Sequence, residues 1–233
     1  MKKISKKRKE IIKKLDFSKK YDPKDAIKFL KDNSQVKFND TLDVALNLTI
    51  DVSKTDQNIR GVINLPHGTG KKIKVAVMAK GDKAKEAKEA GADIVGDNDL
   101  NENIQKGQLD FDLLISTPDM MSVIGKLGKI LGPKGLMPNP KLGTVTNDIS
   151  SAVKNAKSGQ VQYRNDKSGI IHAGIGKLDF KEEHLFENLK VFYDAILKSK
   201  PDSVKKSKGS FIKKITIAST MGFGLEVNVE GLH

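Results

Sequence analysis

Between residues 41 and 50 the chain reads TLDVALNLTI, with Leu42, Val44, Leu46, Leu48 and Ile50 alternating against Thr41, Asp43, Ala45, Asn47 and Thr49. A period of two predicts a strand with one buried and one polar face. Such a strand needs sheet partners, and later stretches supply them. GQVQYRNDKSGIIHAGIG predicts two short strands around an NDKSG turn, while FIKKITIAST and GLEVNVE predict two more joined by MGFG. EEHLFENLKVFYDAILK lines up Leu185, Leu189, Phe192 and Ile196 on one helical face. PKDAIKFLKD predicts a short helix capped by Asp22, with Pro23 in its first turn.

The texture changes from Lys71. KIKVAVMA is a continuous apolar run, the mark of a strand buried on both sides. GDKAKEAKEAGA, NDLNENIQKGQ, DMMSVIGKLGKIL and NDISSAVKNAKSG read as helices, the last with Ser150 and Ser151 as caps, and DIVG and FDLLIST as strands. Strands alternating with helices over about 70–159 predict parallel βαβ units. The expected fold therefore combines α/β and α+β. A discontinuous α+β domain, an antiparallel sheet with helices, comes from 1–68 plus 160–233. It holds an inserted Rossmann-like α/β domain over 69–159, with hinge positions at His67, Gly68 and Gly70 on one crossing and Gly159 on the other.

Composition then narrows the partners. The 233 residues include 42 Lys and Arg against 29 Asp and Glu, a formal net charge of +13. Such a charge attracts polyanions, nucleic acid first and an anionic membrane surface second. Cys is absent, which excludes disulfides, thiol nucleophiles and cysteine zinc sites and fits a reducing cytoplasm. No run of 18 apolar residues suggests a membrane span. The start, MKKISKKRKEIIKKL, lacks the apolar stretch of a secretory signal; Ile4, Ile11, Ile12 and Leu15 instead suggest a basic amphipathic helix.

Catalytic chemistry is thinly represented. LPHGTGKK at 65–72 ends like a P-loop, but Leu65 and Lys72 stand where the motif needs Gly and Ser or Thr, and a strand follows instead of a helix. The four His, at 67, 172, 184 and 233, show no metal-ligand spacing, and His184 and His233 read as solvent-exposed. No metal, cofactor or catalytic set is expected. The segment LGKILGPKGLMPNPKLGT (127–144), rich in Gly, Pro and Lys, lacks the spacing of a phosphate cradle and reads as a stiff surface loop edged with lysines. The polar sheet face is more informative. Lys37 and Phe38 open one strand and Thr220, Met221 and Gly222 end another, with Arg164, Lys167, Lys213 and Lys214 around them. A hydroxyl, a thioether and a ring at strand ends, rimmed by cations, suit folded RNA read by shape, 2′-hydroxyls and stacking. Singly, each has a plainer explanation: Phe38 and Met221 as core, the lysines as a solvated face.

LGPKGLMPNPKLGTV closely resembles the signature of the L-one family, the stalk proteins of the large ribosomal subunit. KFNDTLDV, DQNIRGVINLPHGTGK, AGADIVG, DFDLLISTPDMM, YRNDKSGIIHAGIGK and TMG resemble family segments in the family's order, across nearly the whole chain and in the bacterial form. The resemblance implies the nested two-domain layout and a protein that is not an enzyme. It implies a cytoplasmic monomer within the large subunit that binds large-subunit ribosomal RNA, forms the mobile stalk beside the tRNA exit site and assists release of deacylated tRNA. It also implies binding to the messenger of its own operon, repressing translation, with no membrane partner. Carried over by position, the RNA-binding set is Lys37, Phe38, Thr41, Asp43, Thr220, Met221 and Gly222, with Arg164, Lys167, His172 and Lys214 beside them. Three positions depart from the family pattern: Asp43 stands where many relatives carry Glu, Lys214 where some carry Ser, and Phe223 where Pro or Ala is common. The competing readings are a nucleotide-using α/β enzyme and a non-specific basic binder.

Overall fold

A computed structural model describes residues 11–13, 15–16, 19–34, 36–205 and 210–232. Most of the expected N-terminal helix lies outside the described residues; 11–13 are helical, and Ile11 and Leu15 are buried. The chain divides into two compact units, one from 1–69 with 163–233 and the other from 70–162.

The first unit is built on an antiparallel sheet of four strands. They are β1 (Thr41–Leu48), β7 (Ile170–Lys177), β8 (Ile212–Ser219) and β9 (Gly224–Val227), in the order β7-β1-β8-β9. Alternation along β1 works as its pattern predicts: Leu42, Val44, Leu46 and Leu48 are buried while Thr41, Asp43, Ala45 and Asn47 are not. Burying each of these apolar side chains contributes about 1.5–3 kcal/mol. Helices α1 (Pro23–Asp32) and α7 (Glu182–Lys198) pack on each other and on this sheet. They bury Ile27 and Leu30 from one, and Leu185, Leu189, Phe192 and Ile196 from the other. Asp22 caps α1 by accepting the Lys24 N–H at 3.0 Å. A pair not foreseen from the pattern, β2 (Arg60–Asn64) with β6 (Gln160–Arg164), makes a separate two-stranded sheet. The RGVIN segment alternates too weakly to announce itself, since only Ile63 among its side chains is buried.

The second unit carries a parallel sheet of β3 (Val75–Met78), β4 (Ile94–Gly96) and β5 (Leu113–Ser116), in the order β4-β3-β5. Every residue of β3 is buried because the sheet is covered on both faces. Ala76 and Met78 join a core with Leu100, Ile104 and Ile124, while Val75 and Val77 join another with Ile149 and Val153. Its helices are α2 (Asp82–Glu89), α3 (Asn98–Gln105), α4 (Met121–Lys126), α5 (Gly128–Leu131) and α6 (Ile149–Lys157). Asp148, rather than Ser150 or Ser151, caps α6, its carboxylate accepting the Ser151 N–H at 3.1 Å.

The 127–144 segment is more than a surface loop. The helix expected through Leu131 is broken at Leu127 into α4 and α5, and Leu127 and Leu131 are both core residues. Beyond them the chain turns back to pair Val145 with Ser116. Buried Thr144 holds this turn: its Oγ1 accepts the Asn139 N–H at 2.7 Å and donates to Asn139 O at 3.1 Å.

Candidate nucleic-acid interface

One face of the four-stranded sheet is covered by helices. On the other, β1 presents Thr41, Asp43 and Ala45, flanked by His172 and Gly174 of β7 and by Thr216 and Ala218 of β8. These mostly small residues floor a shallow depression of about 470 Å³ lined by Asp43, Ala45, His172, Gly174, Thr216 and Ala218. A bulge at Leu42/Asp43 brings Gly174 opposite Asp43. A Cβ on residue 174 would lie 3.2 Å from Asp43 Oδ1, so the glycine makes room for the carboxylate. Asp43 is exposed, but partial desolvation of its carboxyl against the sheet raises its pKa from the ordinary value; Asp40 adds to this and Lys177 opposes it.

At one end of this face the turn before β1 meets the β8–β9 turn. Phe38 and Met221 stand there 55% and 65% exposed, which removes the reading of either as a core residue. Lys37, Thr220 and Gly222 are also exposed. Main-chain and side-chain bonds stitch the two turns together. The Thr41 N–H reaches Thr220 Oγ1 at 3.2 Å and Asp40 Oδ1 at 3.1 Å. The Thr220 N–H reaches Asp40 Oδ1 at 2.9 Å and Thr41 O at 3.2 Å. Lys177 Nζ donates to Thr41 Oγ1 at 2.7 Å and to Asn39 O at 3.1 Å, which leaves the Thr41 hydroxyl proton to donate outward. The turn itself requires Gly222: a Cβ there would collide with the Ser219 hydroxyl.

The weaker candidates divide. His172 lies on the open face opposite Ala45, with Nε2 3.7 Å from Asp166 Oδ2. The Ile170 N–H and then the Ser168 N–H, with the nearby His172 ring, lower the Asp166 carboxyl's pKa against the opposing effect of burial. Lys167 is exposed in the turn between β6 and β7. Arg164 is exposed too but belongs to β6, so the two-stranded sheet and not the four-stranded one carries it. Lys214 pairs with Glu226 at 2.7 Å, which offsets part of its charge. Ala45, Gly174, Thr216, Ala218, Asp40 and Lys177 were not singled out from the sequence. The alternation that puts Ala45 on the polar side of β1 was the available signal; the others needed the register.

Near the crossing between units, His67 stacks on His184 with ring centroids 4.0 Å apart, so His184 is half-buried and not free in solvent. His67 Nε2 lies 2.5 Å from Glu187 Oε2, and this contact lowers the Glu187 pKa. Buried Asn188 accepts the His67 N–H at 3.2 Å and donates to Gly68 O at 3.0 Å. Gly68, Gly70 and Gly159 have φ of 66°, 69° and 98°, the left-handed region open to glycine. Among the described residues no group of three or more His, Asp or Glu is placed to hold a metal ion, and no helix is long and apolar enough to cross a membrane.

Residues 30–223 match the model of the ribosomal protein L1p/L10e family. The chain is 54% identical over 226 residues to large ribosomal subunit protein uL1 of Coxiella burnetii, covering 97% of this chain and 96% of that one. The uL1 protein of Vibrio vulnificus is 53% identical over 228 residues, covering 98% and 97%. That of Actinobacillus succinogenes is 52% identical over 232 residues, covering both chains in full.

Proposed function

Because the chain belongs to the ribosomal protein L1p/L10e family, we propose that the face carrying Phe38 and Met221 binds large-subunit ribosomal RNA. As a member of that family the chain is a structural constituent of the large ribosomal subunit in the cytoplasm, and not an enzyme. The observation that carries the proposal is a pair of large apolar side chains left in solvent on two stitched turns, at the end of a bare sheet face. Phe38 supplies a ring for stacking and Met221 a polarisable surface. Thr41 and Thr220 supply hydroxyls for phosphates or 2′-hydroxyls, and Lys37 supplies charge. Arg164, Lys167, His172 and Lys214 extend the contact from the margins, and Asp43 accepts from RNA donors.

In this reading the bound RNA forms the mobile stalk near the tRNA exit site, and the protein acts there as a monomer that assists release of deacylated tRNA. His67, Gly68, Gly70 and Gly159 serve as hinge positions between 1–68 with 160–233 and the inserted 69–159. The same face binds the messenger of the protein's own operon and represses its translation, since a face that reads RNA by shape accepts a second RNA of like shape. The net charge of +13 supports contact with more than one RNA.

The test is a salt-titrated binding assay of the purified chain against the stalk segment of large-subunit ribosomal RNA, beside a scrambled RNA of equal length. The log of the binding constant should fall with log salt by about 0.7–0.9 per phosphate neutralised. A preference for the stalk segment that persists at moderate salt supports specific recognition. Equal binding to both RNAs reduces the protein to a non-specific cationic binder and overturns the proposal.

A further inference from the structure

Asp40 is the one Asp, Glu, Lys or Arg buried among the described residues, at 3% exposure. Charged side chains are seldom this buried without a cation beside them, yet Asp40 makes no ion pair with a described residue. N–H and O–H groups satisfy it instead. Oδ1 accepts the Thr220 N–H at 2.9 Å and the Thr41 N–H at 3.1 Å, and Oδ2 receives the Ser34 hydroxyl at 3.4 Å. Its main-chain oxygen accepts the Leu178 N–H at 3.0 Å. One residue thus joins the segment after α1, the start of β1, the chain leaving β7 and the β8–β9 turn.

A negative charge beneath a face that receives phosphates opposes binding, so what Asp40 contributes there is geometric. It lies two residues after Phe38, and its Oδ1 grips the amide of the residue just before Met221. We propose that Asp40 is the positioning residue of the RNA interface, a buried carboxylate that sets the spacing between the Phe38 and Met221 turns without touching RNA. The proposal rests on the reading that this face binds RNA. The Thr41–Thr220 bonds extend the β1–β8 ladder by one pair beyond Leu42 and Ser219. Asp40 adds a second tie at that point, because a single atom accepts from both turns.

The test compares Asp40→Ala and Asp40→Asn with the wild-type chain and with Met221→Asp as a control for the site itself. Each is measured against the stalk segment of ribosomal RNA and a scrambled RNA, with melting temperature and salt slope alongside. Asp40→Ala should weaken the stalk complex roughly ten- to hundredfold, as expected for loss of bonds to a charged acceptor. Its affinity for scrambled RNA and its salt slope should not change. Asp40→Asn keeps an oxygen for both amides and should bind within about threefold of wild type. A general loss of folding would lower both affinities together and would not be rescued by Asn. Wild-type affinity for Asp40→Ala, with Met221→Asp impaired, overturns the positioning role and leaves the RNA site standing. Wild-type affinity for Met221→Asp overturns the site reading instead. If Asp40→Ala does not fold, amide hydrogen exchange in the wild-type chain decides: the Thr41 and Thr220 N–H groups should exchange slowly despite their place at the surface, and unprotected exchange at both overturns the proposal.

Discussion

Thr220 Oγ1 accepts the main-chain N–H of Thr41 at 3.2 Å, joining residues 179 apart in sequence. The same hydroxyl lies 3.4 Å from Thr41 O, a weak donation back. Thr220 is nevertheless exposed, so a ligand can reach its side chain. Thr220→Val keeps the shape and removes the hydroxyl. The fold should survive, because the Thr220 N–H keeps its bonds to Asp40 and Thr41 O. Specific RNA affinity should fall about tenfold, the usual worth of one or two hydrogen bonds in a bound complex. Filter binding against stalk and scrambled RNA checks this; unchanged affinity for the stalk segment would remove Thr220 from the interface.

Met221 is the most exposed large apolar side chain among the described residues. Its exposure is what the proposed RNA interface accounts for. Met221→Asp should leave stability within about 0.5 kcal/mol, as for other surface substitutions. Against the stalk segment it should lose about a hundredfold, because a central contact is replaced by a charge that repels phosphates. Thermal melting and binding measured on one preparation separate the two effects.

Regular periodicity makes most of the fold legible in the sequence. Strands β1, β7, β8 and β9, the buried run of β3 and helices α1 and α7 all show a strong period of two, a continuous apolar run or a helical stripe. What stayed hidden depends on pairing partners far along the chain. Of the five residues of β2 only Ile63 is buried, and Arg164 reads as part of the four-stranded sheet until its strand is seen to pair with β2. The exposed Phe38 and Met221 could be ranked as candidates, but exposure is a property of the whole fold. Asp40 was out of reach for the same reason: an aspartate before a strand looks like any polar residue until the β8–β9 turn arrives beside it.

Gly222 and Ser219 form a matched pair. A Cβ at 222 would run into the Ser219 hydroxyl, and the Gly222 N–H donates to Ser219 O at 3.0 Å, so the turn cannot simply open. Gly222→Ala should destabilise the chain by about 1–3 kcal/mol, because the added methyl must displace the buried Ser219 hydroxyl although residue 222 itself is exposed. Ser219→Ala removes the colliding oxygen, and the double variant should recover much of the loss, a coupling of about 0.5 kcal/mol or more. Denaturant unfolding of the four proteins measures it. Strict additivity would mean that the glycine is required for another reason.

Acid should unfold the inserted unit through two carboxylates that tie its strands. The Asp93 carboxylate accepts the Val75 N–H at 2.9 Å and also pairs with Lys157 at 3.2 Å; the Val75 bond is the main reason its pKa is lowered from 3.8. Asp112 is lowered from the same value, first by its bond from Lys71 at 2.8 Å and then by the Lys74 N–H at 3.1 Å. A carboxylate whose folded pKa lies below its unfolded one contributes stability that is fully present above the unfolded value. That stability is lost as pH falls through the folded value. The unit should therefore hold steady down to about pH 4–5 and weaken progressively below it. Asp93→Asn keeps an oxygen for Val75 but loses the attraction of Lys157. It should start less stable at neutral pH and show a shallower decline in acid, as should Asp112→Asn. Urea unfolding at a series of pH values, followed by probes placed in 70–162, tests the sign. A variant whose stability falls as steeply in acid as wild type would show that neither carboxylate carries the linkage.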